Sequence, residues 1–406
     1  MCMFKTLLSL PKTVWLIGLI SLVNDSASEM LYPLMPLYLA SVLMAGPKAI
    51  GIIEGIAEAT SSLFKLISGV IVDKTKNTKI WIVFGYALAG FGRPLIAFAS
   101  SWFGVLLIRF ADRLGKGLRS SPRDALLAES VPSNQRGITY GLHRSMDNAG
   151  AVIGPLLAAY LLAINVPLKD IFLWAVIPGA ITVGLALCLK EPPDKSLTPP
   201  AKFSWTLEGM PVQFKRYIFA VGLFALSNSS DMFLLLRARE LGVPQEQIPL
   251  LWAGISLITT VFGTPLSALS DRFSRKYFIA IAWAAYALIY TGMSYSGLTI
   301  GWLCVLFVFY GLFKAATEGV EKAFVADLAP QGLTGTAFGW FNLCSGIMLL
   351  PASLIFGWLY ESFSPTAAFL FSGACSTLAV ILLVLWVFKP QEPVLINKKN
   401  LNNSVI

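Results

Sequence analysis

The sequence predicts an all-α integral membrane protein with about twelve transmembrane helices, arranged as two six-helix pseudo-repeats. Three observations carry this. Only 13% of the 406 residues are charged and 56% are hydrophobic, whereas a soluble domain carries about 25% charged residues. The apolar residues fall in long runs broken by short polar segments, and each run matches the roughly 20 residues that span a bilayer. The two halves also resemble each other at a constant offset of 198 residues, as in Asp73 and Asp271 or Lys116 and Lys314.

The runs cover roughly 13–44, 49–72, 79–99, 101–128, 136–164 and 170–189, then 215–241, 247–270, 277–298, 300–328, 334–358 and 365–388. The first continues into "NDSASEM" without a small-residue cleavage site, so it reads as working helix rather than as a signal peptide. The chain thus divides into an N-terminal bundle over 1–189, a Pro- and Lys-rich linker over 190–215 and a C-terminal bundle over 216–406. Orientation follows from the loops. With the N-terminus inside, one side holds Lys5, Lys12, Lys74, Lys76, Lys79, Lys190, Lys195, Lys202, Arg272, Arg275, Lys276, Lys389, Lys398 and Lys399. The other holds little beyond Lys48 and Lys169. Lysine and arginine concentrate on the cytoplasmic side of membrane proteins. Both termini and the linker are therefore expected there, in a bacterial inner membrane.

That asymmetry also accounts for the net charge of +9 as a topology signal. A nucleic-acid footprint would need a basic patch on a soluble face, and none is visible. The five cysteines are scattered without paired spacing, and His143 is the single histidine. No disulfide framework, metal site or cofactor site is expected. There is no phosphate-binding loop and no nucleophile elbow, so an enzyme is not expected. The expected partners are the lipid bilayer, protons and a small-molecule substrate, with the chain acting as a monomer.

Beyond the offset itself, Pro132, Gly137 and Gly141 map onto Pro330, Gly335 and Gly339. A parallel repeat of this kind relates two halves about an axis along the membrane normal. The stretch Gly69-x-x-x-Asp73-Lys74 and its second copy, "SALSDRFSRK" over Ser267 to Lys276, resemble the loop motif of the major facilitator superfamily. Lys76 and Asn77 in the first copy, and Ser267 and Ser274 in the second, depart from it. In the fifth run, "NAGAVIGPLLA" with Gly150, Gly154 and Pro155 looks like the glycine motif of that superfamily's antiporters, without its last glycine. The resemblance covers essentially the whole chain. It implies the major facilitator fold and transport by alternating access. Asp73 and Asp271 stand where a helix ends, where a carboxylate can bond the amides of a neighbouring helix and pair with basic residues. The candidate gating residues are Asp73, Lys74, Asp271, Arg272, Arg275, Gly150, Gly154, Pro155, Lys314 and Glu318.

Ionisable residues inside a spanning helix are costly and mark a bundle interior or aqueous path. Taken in order, helix 1 aligns Asp25, Glu29 and Tyr32 on one face, and helix 2 aligns Glu54, Glu58, Ser61 and Lys65. Helix 3 holds Arg93. Helix 4 carries Arg109, Arg113, Lys116, Ser120 and Arg123 at steps of four, three, four and three, with Asp112 and Asp124 beside them as partners. Helix 5 holds His143, Arg144 and Asp147, helix 7 holds Asn228 and Asp231, helix 8 holds no charge, helix 10 aligns Lys314, Glu318, Glu321 and Lys322, and helix 11 holds Asn342.

This pattern predicts a secondary active transporter driven by protons, with sodium as the alternative ion. The candidate coupling residues are Asp25, Glu29, Glu58, His143, Arg144 and Asp147, and Asp147 leads because it lies roughly 16 Å into its helix. A carboxylate that alternates between dry and wet surroundings changes its proton affinity. The candidate substrate-binding residues are Arg93, Arg109, Arg113, Asn228, Asp231 and Asn342. Eight basic residues face seven acidic ones across helices 1 to 5, so the cavity is near neutral. Because arginines grip carboxylates and phosphates bidentately, a small polar or anionic organic solute is the first expectation. Efflux of drugs or toxic compounds and movement of a carboxylate-type siderophore are the alternatives; a channel or non-transporting receptor is the rival class. A lipophilic cation would instead call for an aromatic pocket with an unpaired carboxylate.

Overall fold

The structure is a computed structural model that describes residues 10–75, 78–132, 136–190, 206–272, 274–295, 297–330 and 334–388. Twelve helical segments cross one bundle, and no strand occurs among the described residues. The first six are α1 (Lys12–Ser41), α2 (Pro47–Thr75), α3 (Thr78–Phe98), α4 (Trp102–Glu129), α5 (Arg136–Ala163) and α6 (Leu168–Leu187). The second six are α7 (Val212–Glu240), α8 (Ile248–Arg272), α9 (Arg275–Met293), α10 (Ile300–Leu328), α11 (Thr334–Ser362) and α12 (Pro365–Val387). The side on which α1 and α7 begin is called the near side here, and the opposite side the far side.

Local chemistry sets the ends and breaks of these helices. Ser364 caps α12 by accepting from the Ala367 amide at 3.1 Å, with Pro365 in the first turn where its missing N–H costs nothing. Pro33 and Pro36 tighten α1 into a 3₁₀ turn over Tyr32–Leu34. In α7 the polar run Asn228-Ser-Ser leaves the helical path, with Asn228 at φ −88° and ψ 74°. A third break follows Glu318 in α10. Breaks at this depth are tolerated only where they line a cavity or are covered by protein.

The two halves are built differently. The C-terminal half is held by rings: Phe224 stacks on Trp283 at 4.3 Å, and Tyr286 on Tyr290 at 4.1 Å, with Phe313, Phe356 and Phe369 around them. Each such pair adds about 0.5–1.5 kcal/mol to its burial. The N-terminal half has a smaller apolar cluster around Val14, Ile17, Ile82 and Leu126. Its centre is polar.

At the far side the halves meet along α2 and α11. A Cβ built on Gly357 would stand 2.7 Å from the Pro47 carbonyl oxygen and 3.4 Å from Gly51 Cα, so only glycine permits this approach. Above it Glu361 accepts from the Lys48 amide at 2.9 Å and pairs with Lys48 Nζ at 3.5 Å. Gly357→Val should wedge this seam open. Spin labels at Met44 and Phe363, in a chain whose native cysteines are replaced, should report a longer far-side distance in the variant. An unchanged distance distribution would show that the seam does not hold the far side closed.

Candidate functional site

Between the halves lies a cavity of about 390 Å³. The N-terminal half contributes Tyr32, Glu54 and Glu58, and the C-terminal half contributes most of the rest. The unwound stretch of α7 places Asn228, Ser229, Ser230 and Asp231 on its wall. Broken helices near the midplane commonly form transporter binding sites. Asp231 accepts from Lys314 Nζ at 2.8 Å and from the Tyr310 hydroxyl. The Lys314 ammonium also sits 5.1 Å from the Trp252 ring, a cation–π contact. Trp252 in turn donates across to Glu29 of α1 at 2.7 Å and packs on Tyr32 at 4.8 Å. These contacts tie α1, α7, α8 and α10 together around the site.

Further along α10, Glu321 accepts from Trp283 Nε1 at 2.7 Å. Of the five carboxylates that line the cavity, Glu54, Glu58, Asp231, Glu318 and Glu321, the last alone has no cationic partner among the described residues. Glu318 pairs with Arg144 across the two halves.

The arginines expected to bind substrate are held elsewhere. Arg93 donates to Asp112 at 2.9 Å and to the carbonyl and side chain of Asn24 at 3.2 Å each. Arg109 donates to Glu54 through Nε at 3.0 Å and Nη2 at 2.5 Å, and to Asp112 at 3.5 Å. Arg113 lies 3.3 Å from Glu58. All three guanidiniums are buried and neutralised inside the N-terminal half, binding α1, α2, α3 and α4 together. Of the other substrate candidates, Asn228 and Asp231 reach the cavity, while Asn342 is exposed on α11 and lines none of the cavities described.

The coupling candidates divide into separate groups. His143 lies 2.8 Å from Ser21 Oγ and 3.5 Å from Asp147, and Arg123 donates to the same serine at 3.3 Å. Asp147 Oδ1 is buried without a hydrogen-bond partner. Asp147 and Arg144 do not pair with each other, because Arg144 turns to Glu318. Asp25 accepts from Asn24 at 2.8 Å, and Glu29 and Glu58 hold the contacts given above.

Among the gating candidates, Gly150 and Gly154 bring α5 close to α1 of the same half, against Ser26 and Met30, with Pro155 next in the helix. Arg275 pairs with Asp327 at 2.5 Å. Lys314 belongs to the cavity rather than to a loop. The side chains of Asp73, Lys74, Asp271 and Arg272 lie outside the described residues.

Sequence reasoning left Glu54, Trp252, Tyr310, Phe224 and Glu321 out of the site. One signal was present: Glu54 and Glu58 are matched by Arg109 and Arg113 at the same offset of 55 residues. The two helices run in the same direction, so equal steps of opposite sign face each other in register.

A sequence profile of the Major Facilitator Superfamily matches residues 17–236 and 217–403. The chain belongs to the Major Facilitator Superfamily. It is 33% identical over 382 residues to an uncharacterised MFS-type transporter of Methanocaldococcus jannaschii, covering 92% of this chain and 95% of that one. It is 21% identical over 268 residues to the quinolone resistance protein NorA of Staphylococcus aureus, covering 64% and 66%. A crystal structure of the nucleoside transporter NupG, 13% identical, superposes with a TM-score of 0.79 over 93% of this chain and all of that one, which shows the shared fold. The protein is a multi-pass membrane transporter of this superfamily.

In this transporter Arg109 joins two carboxylates that have no water to fall back on. Removing one partner of a buried ion pair costs about 3–5 kcal/mol. Arg109→Gln should therefore lower unfolding stability in mild detergent by about that amount, and Arg109→Gln with Glu54→Gln should recover part of it. Thermal unfolding of the purified variants checks this. Equal stability of wild type and Arg109→Gln would mean that the pair is not structural.

Proposed function

We propose that this transporter exchanges protons for an organic solute that carries a positive charge on an aromatic or apolar body. It would act by alternating access in the bacterial inner membrane with the near side cytoplasmic. The observation that supports this is Glu321. An ionised carboxylate in a spanning helix needs a partner, and Glu321 has an indole N–H but no cation. Its surroundings are the stacked Phe224–Trp283 pair and Phe313. Either a proton or the charge of a bound cation can neutralise it, and one excludes the other. Mutual exclusion at one group is the thermodynamic basis of exchange. The other four carboxylates of the cavity already have cationic partners, which removes them from that role. The resemblance to a quinolone resistance protein supports efflux as the direction. In the N-terminal half, Glu29, Asp147 and Asp25 are the candidates to relay protons, since none has an arginine or lysine within ion-pair distance among the described residues.

An anionic solute is the second reading, and the Lys314 ammonium on the cavity wall is what favours it. Transport in proteoliposomes separates the two. With a pH gradient imposed, the wild type should move tetraphenylphosphonium. Glu321→Gln should reduce this by at least about 100-fold, the scale of removing one essential charge from a low-dielectric site. Glu321→Asp should retain part of it. A monodisperse Glu321→Gln protein that transports at the wild-type rate would remove Glu321 from the mechanism. Movement of citrate but not of tetraphenylphosphonium would return the assignment to an organic anion.

A further inference from the structure

A second cavity of about 570 Å³ opens on the near side between α2, α4 and α5 of one half and α8 and α10 of the other. Glu318 borders both this vestibule and the central cavity. Its walls carry four basic side chains, Lys65, Arg123, Arg144 and Lys322, against the carboxylates Asp124, Asp147 and Glu318, with His143 also present. The partners decide which charges are spent. Arg123 holds Asp124 at 3.2 Å, Arg144 holds Glu318, and Asp147 faces His143 at 3.5 Å. Lys65 and Lys322 are left. Both are exposed, and neither has a carboxylate within ion-pair distance among the described residues.

These two ammoniums stand on opposite halves of the protein and face one space. Alternating access requires the near side to close, and closure would press two like charges together in a space that loses its water. Like charges a few ångströms apart repel by several kcal/mol at low effective dielectric. An anion with negative oxygens on two sides would convert that repulsion into a bridge. Phosphate groups meet the requirement, because each oxygen can accept a charge-assisted hydrogen bond from a lysine.

We propose that the vestibule is a binding site for a phosphate-bearing anion, held by Lys65 from one half and Lys322 from the other, with Arg144 and Arg123 at its edges. The site is separate from the central cavity and does not depend on which solute that cavity carries. Two sources supply the chemistry: a soluble phosphate compound, or an anionic phospholipid headgroup reaching in between α5 and α8, where Tyr140 and Phe262 are exposed. Basic pockets between transmembrane helices on the cytoplasmic side bind such headgroups elsewhere.

The test uses the purified full chain in detergent. Inorganic pyrophosphate is titrated while thermal unfolding is followed, and retained phosphatidylglycerol is counted by native mass spectrometry, with phosphatidylcholine as the neutral comparison. Wild type should show saturable stabilisation by pyrophosphate, or selective retention of phosphatidylglycerol, or both, and the arm that responds identifies the source. Lys65→Gln with Lys322→Gln should weaken the response at least about tenfold, in line with losing charge-assisted bonds. Lys65→Arg with Lys322→Arg should keep it, which controls for folding. Lys169→Gln, a cation of the far side, should leave it unchanged. A response of equal strength in the double glutamine variant, or no response to either probe in the wild type, would overturn the proposal.

Discussion

The structure turns on one constraint: an ionised side chain inside a bilayer must find its counter-charge within the protein. In the N-terminal half that constraint is met by a chain of pairs. Arg93 joins Asn24 and Asp112, Arg109 joins Asp112 and Glu54, and Arg113 joins Glu58. Apart from Arg109–Asp112, which lies within α4, each link crosses between helices, so α1 through α4 are fixed relative to one another by groups that cannot be separated cheaply. This half is suited to move as one body. Among the described residues the C-terminal half is held mainly by rings, with Arg237 paired to Glu240, and Asp231, Lys314, Glu318 and Glu321 face the central cavity.

That division of labour places the mobile contacts at the boundary. At the far side the halves meet through Gly51 and Gly357, where backbones touch, and through the Lys48–Glu361 contact above them. In the centre they meet through Glu29 and Trp252, one hydrogen bond in a mixed aromatic and polar setting. At the near side Arg144 and Glu318 reach across an open vestibule. The far-side and central contacts adjoin an apolar core shared by both halves, with Leu34, Leu37, Ile50 and Ile53 against Phe233, Leu235 and Trp252, whereas the near-side pair stands in the vestibule. The breaks in α1, α7 and α10 lie beside the central cavity, so the segments most able to change conformation are the ones a bound solute touches.

Much of this was legible in the sequence. The sixth span was expected over 170–189 and is Leu168–Leu187, because apolar length follows from what a bilayer requires. The cost of buried charge also correctly marked α2, α4, α5 and α10 as facing an interior. The spacing gave Asp112 and Asp124 as partners of the α4 arginines, and Arg109–Asp112 and Arg123–Asp124 form, but it could not give the partners that other helices supply. The stripe of Arg109 and Arg113 was right as a face, but its destination was α2 rather than a solute. A periodicity names a side of a helix, and only the helix packed against that side decides whether the side is wet. Glu321 shows the converse. It lay in the stripe of α10 beside Lys314, and the sequence gives no sign that Lys314 turns to Asp231 while Glu321 is left with Trp283. Asp147 and Arg144 sit three residues apart, yet they separate because Glu318 of the other half is better placed for the arginine.

The central claim is that one carboxylate holds either a proton or a cation, never both. Calorimetric titration of the purified protein with tetraphenylphosphonium, repeated in buffers of different ionisation enthalpy, measures the protons released per cation bound. At a pH where Glu321 is protonated in the free protein, the wild type should release about one proton per cation, and Glu321→Gln should release none, as linkage at a single group requires. Cation binding to the wild type with no proton release at any pH would contradict the account.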